Sequence, residues 1–209
     1  MYKITLRKEL NPTVTMMEIE APLVAKKAEP GQFIILRVNE DGERIPLTIA
    51  GYDREKGTVR IIFQIVGATT TLLNAKKEGE YIQDFVGPLG VATHIEGLKR
   101  VCIVGGGVGC AIALPIAQKL HEMGCEVTSV IGFRSKDLLI LEKEMEAVAG
   151  NLYVTTDDGS YVRKGMVTDV IKDLVQNQGK KYDVCVAIGP MIMMKFVCLL
   201  TKELEIPTI

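Results

Sequence analysis

Arg100-Val101-Cys102-Ile103-Val104-Gly105-Gly106-Gly107-Val108-Gly109-Cys110 carries an unbroken apolar run into a glycine-rich turn, and residues 110–123 then follow an amphipathic pattern. An apolar run that ends in such a turn and is followed by helix-period residues reads as a buried strand feeding a helix. The pattern repeats downstream: strand at 127–132, a Leu/Glu/Met-rich helix near 138–148, strand at 152–155, helix near 166–176, strand at 184–188. Strands alternating with helices predict an α/β doubly wound parallel sheet, the kind that binds nucleotides at the carboxyl ends of its strands.

Before residue 99 the pattern differs. Short β-type segments at 2–10, 13–20, 31–38, 44–52, 58–66 and 81–90 are separated by Asn-Pro, Pro-Gly, Asp-Gly and Lys-Gly signals. Such spacing predicts an antiparallel β barrel or sandwich, interrupted by one short helix at about residues 70–77. With 209 residues and 47% hydrophobic content, the chain has enough apolar mass for two cores. The expected division is a β-barrel domain over 1–97 and an α/β domain over 98–209.

Composition removes several function classes. Twenty-five basic residues against twenty-six acidic ones leave a net charge of -1, with no footprint for nucleic acid or an anionic membrane. The first ten residues alternate like a strand and lack the pattern of a signal peptide, and no apolar run reaches the roughly 18 residues of a membrane span, so a cytoplasmic protein is expected. Cys102, Cys110, Cys125, Cys185 and Cys198 include no Cys-x-x-Cys pair and sit mostly in apolar runs, so they read as buried, reduced thiols. His94 and His121 stand alone, and no metal site is expected.

The turn Gly105-Gly106-Gly107-Val108-Gly109 sits where backbone N–H groups and a helix N-terminus can hold a pyrophosphate. Its match to the dinucleotide fingerprint G-x-G-x-x-G/A is incomplete, because the third position is Cys110 or Ile112 depending on the start. The second strand ends in Gly132-Phe133-Arg134-Ser135, without the acid that grips an adenosine ribose in ordinary dehydrogenases. A nucleoside triphosphatase is excluded by the missing Gly-Lys-Ser/Thr. Acids follow the third strand instead, in Asp157-Asp158-Gly159-Ser160. Two readings fit: a plain Asp-Gly turn, or carboxylates that accept from ribose hydroxyls and repel a 2'-phosphate, favouring NAD(H). Arg134 points the other way, since it suits a 2'-phosphate. The last strand delivers Gly189-Pro190-Met191 to the same edge.

In the first half, Arg44, Pro46 and Thr48 share one face of a strand. A guanidinium suits a pyrophosphate and a threonine hydroxyl suits a flavin ring nitrogen. Gly67-Ala68-Thr69-Thr70-Thr71 opens the helix of this half, and its threonines fit either a helix cap or a phosphate site.

This order of motifs, with Gly87-Pro88-Leu89-Gly90 ahead of the glycine turn, resembles the ferredoxin-NADP reductase superfamily over essentially the whole chain. Within it, residues 44–50, 61–67, 157–168 and 187–196 are most similar to two families. These are the small subunits of NADH-dependent ferredoxin:NADP oxidoreductase, also known as sulfide dehydrogenase, and the electron-transfer subunits of dihydroorotate dehydrogenase. The resemblance implies FAD and NAD(H) as cofactors. Thr48 is then the catalytic residue beside flavin N5, with Arg44 on the flavin pyrophosphate and Pro46 and Leu47 against the ring. Ile65, Val66, Gly67, Thr70 and Thr71 complete the flavin site, the last two on the pyrophosphate. Gly105, Gly106, Gly107, Val108 and Gly109 meet the nicotinamide dinucleotide, Asp157, Asp158 and Gly159 its ribose, and Gly189, Pro190 and Met191 the ring stack. Hydride passes from nicotinamide C4 to flavin N5, and electrons leave singly for a larger flavin or iron-sulfur partner subunit or a ferredoxin.

The chain departs from the superfamily in two places. Arg44 lies four residues before Thr48 where the superfamily has three, with Pro46 in the region of a ring-stacking tyrosine. The cysteine-rich tail that holds a two-iron two-sulfur cluster has no counterpart, and the apolar ending at 205–209 fits truncation, so the cluster is expected only in a longer chain. Two rival readings remain: a free-standing NAD(P)H-dependent flavin or ferredoxin reductase, and a non-catalytic nucleotide-binding regulatory subunit.

Overall fold

A computed structural model describes all of residues 1–209, which divide into two units, Met1–His94 and Ile95–Ile209. The first unit is built from seven strands and two helices: β1 (Tyr2–Asn11), β2 (Val14–Glu20), α1 (Pro22–Lys27), β3 (Phe33–Arg37), β4 (Arg44–Asp53), β5 (Thr58–Gln64), α2 (Ala68–Ala75), β6 (Tyr81–Ile82) and β7 (Asp84–Leu89). The strands form one sheet in the order β6-β1-β2-β5-β4-β3-β7, antiparallel at every pairing. The two outermost strands, β6 and β7, are separated in the chain by Gln83 alone. The sheet therefore has to curl until its edges nearly meet, which makes it a barrel and leaves little exposed edge.

Alternation decides which side chains go inside. Ile4, Met17, Ile19, Ile34, Leu36, Ile49, Ile61, Phe63 and Phe85 fill the barrel and are buried. Turn chemistry fixes the registers. Asn11 Oδ1 accepts from Thr13 N at 2.9 Å in the β1–β2 hairpin, and Asp53 Oδ1 accepts from the backbone N–H groups of Glu55 and Lys56 after β4. Three expectations are corrected here. The barrel unit holds a second helix, α1, whose six residues are too few to show a period; Pro22 starts it and Val24 and Ala25 anchor it. The segment at 81–90 is two strands, and the helix expected at 70–77 runs from Ala68 to Ala75.

The second unit contains β8 (Arg100–Gly106), α3 (Cys110–Glu122), β9 (Glu126–Phe133), α4 (Glu142–Glu146), β10 (Asn151–Thr156), β11 (Arg163–Lys164), α5 (Val167–Lys172), β12 (Val184–Ile188) and α6 (Met191–Glu203). Its sheet is parallel throughout, in the order β11-β10-β9-β8-β12. All of β8 after Arg100 is buried, as a central parallel strand covered on both faces must be. Residues 207–209 add a short parallel segment beyond β12: Cys185 N donates to Pro207 O at 2.8 Å, and Ile209 N to Cys185 O at 2.9 Å.

The helix expected over 138–148 shrinks to α4 because Leu141, just before it, takes a left-handed conformation with φ of 60°. That backbone cannot continue from the short 3-10 turn at Lys136–Leu138. After α5 the chain widens into a π-type turn at Asp173–Asn177, held by Asn177 and Gln178 side chains donating to Asp173. No helix is long and apolar enough to cross a membrane.

Candidate functional site

Parallel pairing places Gly106 opposite Gly132, Phe133 opposite Thr156, and Ile188 opposite Gly105. The glycine turn, the Asp turn and the Gly-Pro turn therefore leave one edge of the sheet together, the carboxyl edge, where ligands of such sheets bind.

The glycines of this edge are there for different reasons. A methyl group on Gly109 would run into Ile188 O and come within 2.8 Å of Gly189 Cα. One on Gly189 would lie 3.0 Å from Gly106 Cα, and one on Gly106 would meet the Met193 sulfur and lie 3.0 Å from Pro190 Cδ. A methyl on Gly105 would press on Cys110 Sγ at 2.8 Å. Gly109 and Gly189 let the turn after β8 pack backbone to backbone against the turn after β12, Gly106 leaves room for Met193 and Pro190, and Gly105 leaves room for Cys110 in its own turn. Gly107 differs: its φ is +53° and a Cβ there would meet nothing within 4 Å. Of the five expected dinucleotide contacts in this turn, Gly107 alone combines a conformation that favours glycine with open space. Val108 lies beside it, half-buried.

The Asp turn is tied down internally. Asp157 N and Asp158 N extend the pairing of β10 with β9 by donating to Phe133 O and Arg134 O. Asp158 Oδ1 accepts from Ser160 N at 2.9 Å and from Ser160 Oγ at 2.7 Å, and these bonds hold its carboxyl below the usual range. Lys136 N donates to Ser160 Oγ, linking the turn after β10 to the turn after β9. Asp157, by contrast, has an exposed carboxylate with no side-chain partner, and the neighbouring Arg134 forms no ion pair. Gly159 supplies the positive φ, +77°, that closes the turn. Pro190 and Met191 follow Gly189 at the start of α6, and Met191 is 83% exposed.

In the barrel unit, β4 presents Arg44, Pro46 and Thr48 on one face, while Ile45 and Leu47 pack against the core. Leu47, expected beside Pro46 against a flavin ring, points its side chain the other way, because neighbours on a strand alternate. The Thr48 hydroxyl is half-buried and makes no hydrogen bond within the protein. Arg44 is not free: Asp84 Oδ2 accepts from Arg37 Nε at 2.7 Å and from an Arg44 terminal nitrogen at 3.2 Å. This triad had no sequence signal, since it forms only through the pairing of Arg37 with Arg44 on one side and Asp84 on the other.

At the start of α2, Thr70 Oγ1 accepts from Val66 N and Gly67 N, each at 3.0 Å, and donates to Gly67 O. Its hydroxyl is thus fully used as a cap, and of the two expected pyrophosphate donors only Thr71, exposed and without a side-chain partner, keeps a free hydroxyl. Gly67 has open space where a Cβ would stand, beside the half-buried Ile65 and exposed Val66.

Two of the buried cysteines are held as thiols. Burial pushes the Cys110 thiol up to about 12, and Cys102, a free thiol hydrogen-bonded with that of Cys185 in the core, is also raised well above the usual thiol value. Cys198 is exposed and Cys125 half-buried. No group of three or more His, Cys, Asp or Glu residues is placed to hold a metal.

No family model matches the chain. It is 57% identical over its whole length to an uncharacterized protein in the adh 3' region of Clostridium beijerinckii, covering 73% of that protein. Over 90% of the chain it is 48% identical to a dihydroorotate dehydrogenase B (NAD(+)) electron transfer subunit homolog from Thermotoga maritima, covering 66% of it. The electron transfer subunit of dihydroorotate dehydrogenase B from Streptococcus pneumoniae is 35% identical over 93% of the chain, which covers 75% of that protein. Among solved structures, that of the NADH-dependent reduced ferredoxin-NADP oxidoreductase superposes with a TM-score of 0.92 at 44% identity, over 100% of this chain and 74% of that one. A barrel followed by a parallel-sheet domain, with relatives of this identity and coverage, leaves one assignment: the chain belongs to the family of dihydroorotate dehydrogenase B electron transfer subunits, within the ferredoxin reductase-like oxidoreductases.

Proposed function

We propose that the chain binds FAD on its barrel and NAD(H) at the carboxyl edge of its parallel sheet, and that it moves electrons between them and a larger catalytic partner subunit in the cytoplasm. The observation that carries this reading is a set of unused polar groups and open glycines at the expected places. Thr48 and Thr71 have hydroxyls without protein partners on the barrel, and Gly107 and Asp157 are open on the sheet edge. Such groups fit a ligand that is not part of the chain.

When bound, the two cofactors supply hydride transfer from the nicotinamide and onward release of single electrons. The chain's own residues orient and hold. Thr48 would present its hydroxyl to the reactive edge of the flavin, with Pro46, on the same strand face, available to pack against the ring. Arg44, Gly67 and Thr71 meet the flavin pyrophosphate. The open backbone at Gly107 meets the dinucleotide phosphates. Asp157 accepts from the ribose hydroxyls and repels a 2'-phosphate, which makes NADH the preferred donor over NADPH. No nucleophile or acid–base pair is required.

The test is the visible spectrum of the purified chain, recorded anaerobically after reconstitution with FAD and then after NADH or NADPH. A bound flavin spectrum that bleaches rapidly with NADH and slowly with NADPH is the expected result. Failure to take up FAD removes the barrel assignment, and a bound flavin that neither nucleotide bleaches favours the non-catalytic regulatory reading. Copurification with a second polypeptide separates a fixed subunit from a free-standing reductase.

A further inference from the structure

Tyr161 is the residue that joins the Asp turn to the rest of its domain. Its backbone N donates to Thr156 Oγ1 at 3.1 Å, and the same hydroxyl donates to Tyr161 O at 3.0 Å. Thr156 is fully buried, so this end of the turn is fixed to the sheet. The Tyr161 phenol reaches α4, where it donates to both oxygens of Glu142 at 3.1 and 3.3 Å. Lys136 places its ammonium 5.3 Å from the ring centroid, from the turn after β9. Tyr161 thus touches three elements, and the four residues between Thr156 and Tyr161 are the Asp turn itself. That turn has no apolar anchor of its own, since residues 157–160 are all exposed. Immediately beyond it the chain reverses at Val162, with φ of 48°.

We propose that the Tyr161–Glu142 hydrogen bond is a positioning clip that holds the Asp157 carboxylate where it can accept from the ribose of the dinucleotide. The inference rests on the nucleotide reading given above. Neither residue touches the ligand; both act through the turn. The clip adds to a loop otherwise tied by backbone bonds and by the Thr156, Asp158 and Ser160 side chains, none of which reaches α4, and a restricted acceptor binds with less ordering to be done. The hydrogen bond to Glu142 raises the Tyr161 pKa further above its ordinary value, so the phenol remains a donor.

The experiment is calorimetric titration of the full chain with ADP-ribose, which carries the ribose and pyrophosphate but no reacting ring. Tyr161→Phe and Glu142→Ala should each raise the Kd roughly threefold to tenfold, as loss of one hydrogen bond does. The double variant should be no weaker than either single one, because both remove the same contact. Glu142→Gln, whose amide oxygen still accepts from the phenol, should restore near-normal binding. Asp157→Asn separates the two levels of the argument. If it weakens ADP-ribose while Tyr161→Phe and Glu142→Ala do not, the clip is wrong and the ribose site stands. If Asp157→Asn binds normally, the ribose reading fails and the clip with it. Weakened binding matched by an equal fall in Tm in both clip variants would show general destabilisation and overturn the proposal.

Discussion

Gly107 and Gly109 lie two residues apart in the same turn, and replacing each by alanine should have unlike consequences. Gly109 already has helical backbone angles, φ of -59° and ψ of -23°, which alanine adopts freely. Its obstacle is steric: the new methyl would overlap Ile188 O and stand 2.8 Å from Gly189 Cα, and both are backbone. Nothing flexible can yield, so the start of α3 has to move away from the turn after β12. Overpacking of this kind costs about 1–3 kcal/mol, and backbone obstacles place Gly109→Ala near about 3 kcal/mol. Gly107 has open space but a left-handed φ of +53°. A side chain there costs roughly 1–2 kcal/mol, offset by about 0.4–1 kcal/mol from the stiffer unfolded chain, leaving a net loss of about 1 kcal/mol. For a chain of this length each kcal/mol moves Tm by about 2–4 °C. Scanning calorimetry should therefore show Gly109→Ala melting roughly 6–12 °C below the parent and Gly107→Ala only about 2–4 °C below. ADP-ribose titration reverses the order of interest, because the Gly107 methyl projects into the space assigned to phosphate while the fold survives. Equal losses of stability in the two variants, or a Gly109→Ala protein as stable as the parent, would refute the separation of packing glycines from the ligand-facing one.

Val162 is a β-branched residue in the left-handed region and is 73% exposed, so little packing compensates its strain. Val162→Gly should raise stability by about 0.5–1 kcal/mol in urea titration, and an unchanged or lower midpoint would remove the strain argument. Thr70→Val deletes the cap of α2 while keeping the shape of the side chain, and it should lose about 1 kcal/mol by the same measurement; no loss would mean the cap is dispensable. Ser160→Ala tests the pH dependence of the Asp turn. The Asp158 pKa lies below its ordinary value of 3.8, chiefly through the Ser160 hydrogen bonds, so its contribution is present above that value and fades as pH falls through the folded-state pKa. Ser160→Ala should melt below the parent at pH 5, and the gap should narrow as pH falls through the Asp158 titration; a gap that does not change with pH would show that the bonds do not couple to folding.

The division into fold classes was legible because β8 is a central parallel strand: burial on both faces demands an unbroken apolar run, and few other structures demand one. Period two in β4 likewise revealed that Arg44, Pro46 and Thr48 share a face, and the same alternation should have removed Leu47 from that group. What escaped reading depends on contacts distant in sequence. The Arg37–Asp84–Arg44 triad exists only through strand pairing, and residues 207–209 become sheet only because β12 presents an open edge. The glycines show the limit most clearly. Gly107 and Gly109 look equivalent as letters, and only the neighbours of the absent Cβ tell open backbone from a packing contact. Thr70 and Thr71 are similar: one hydroxyl is consumed by the backbone before it, the other is not. Tyr161 carried no pattern at all, since its partners come from three separate segments.

Asp84 serves two guanidinium groups with one oxygen, and this makes Arg44 a movable charge. Arg37 is mostly buried and sits closer to the carboxylate, whereas Arg44 is 61% exposed and sits farther away. If Arg44 swings toward an incoming anion, Asp84 keeps Arg37 and is never left uncompensated. Releasing Arg44 then costs no more than one solvent-exposed ion pair, about 0–1 kcal/mol, rather than the larger penalty of stranding a carboxylate. The three charges sum to +1 before and after the swing. An arm that is oriented at rest and cheap to detach can meet a pyrophosphate without disturbing the barrel that carries it.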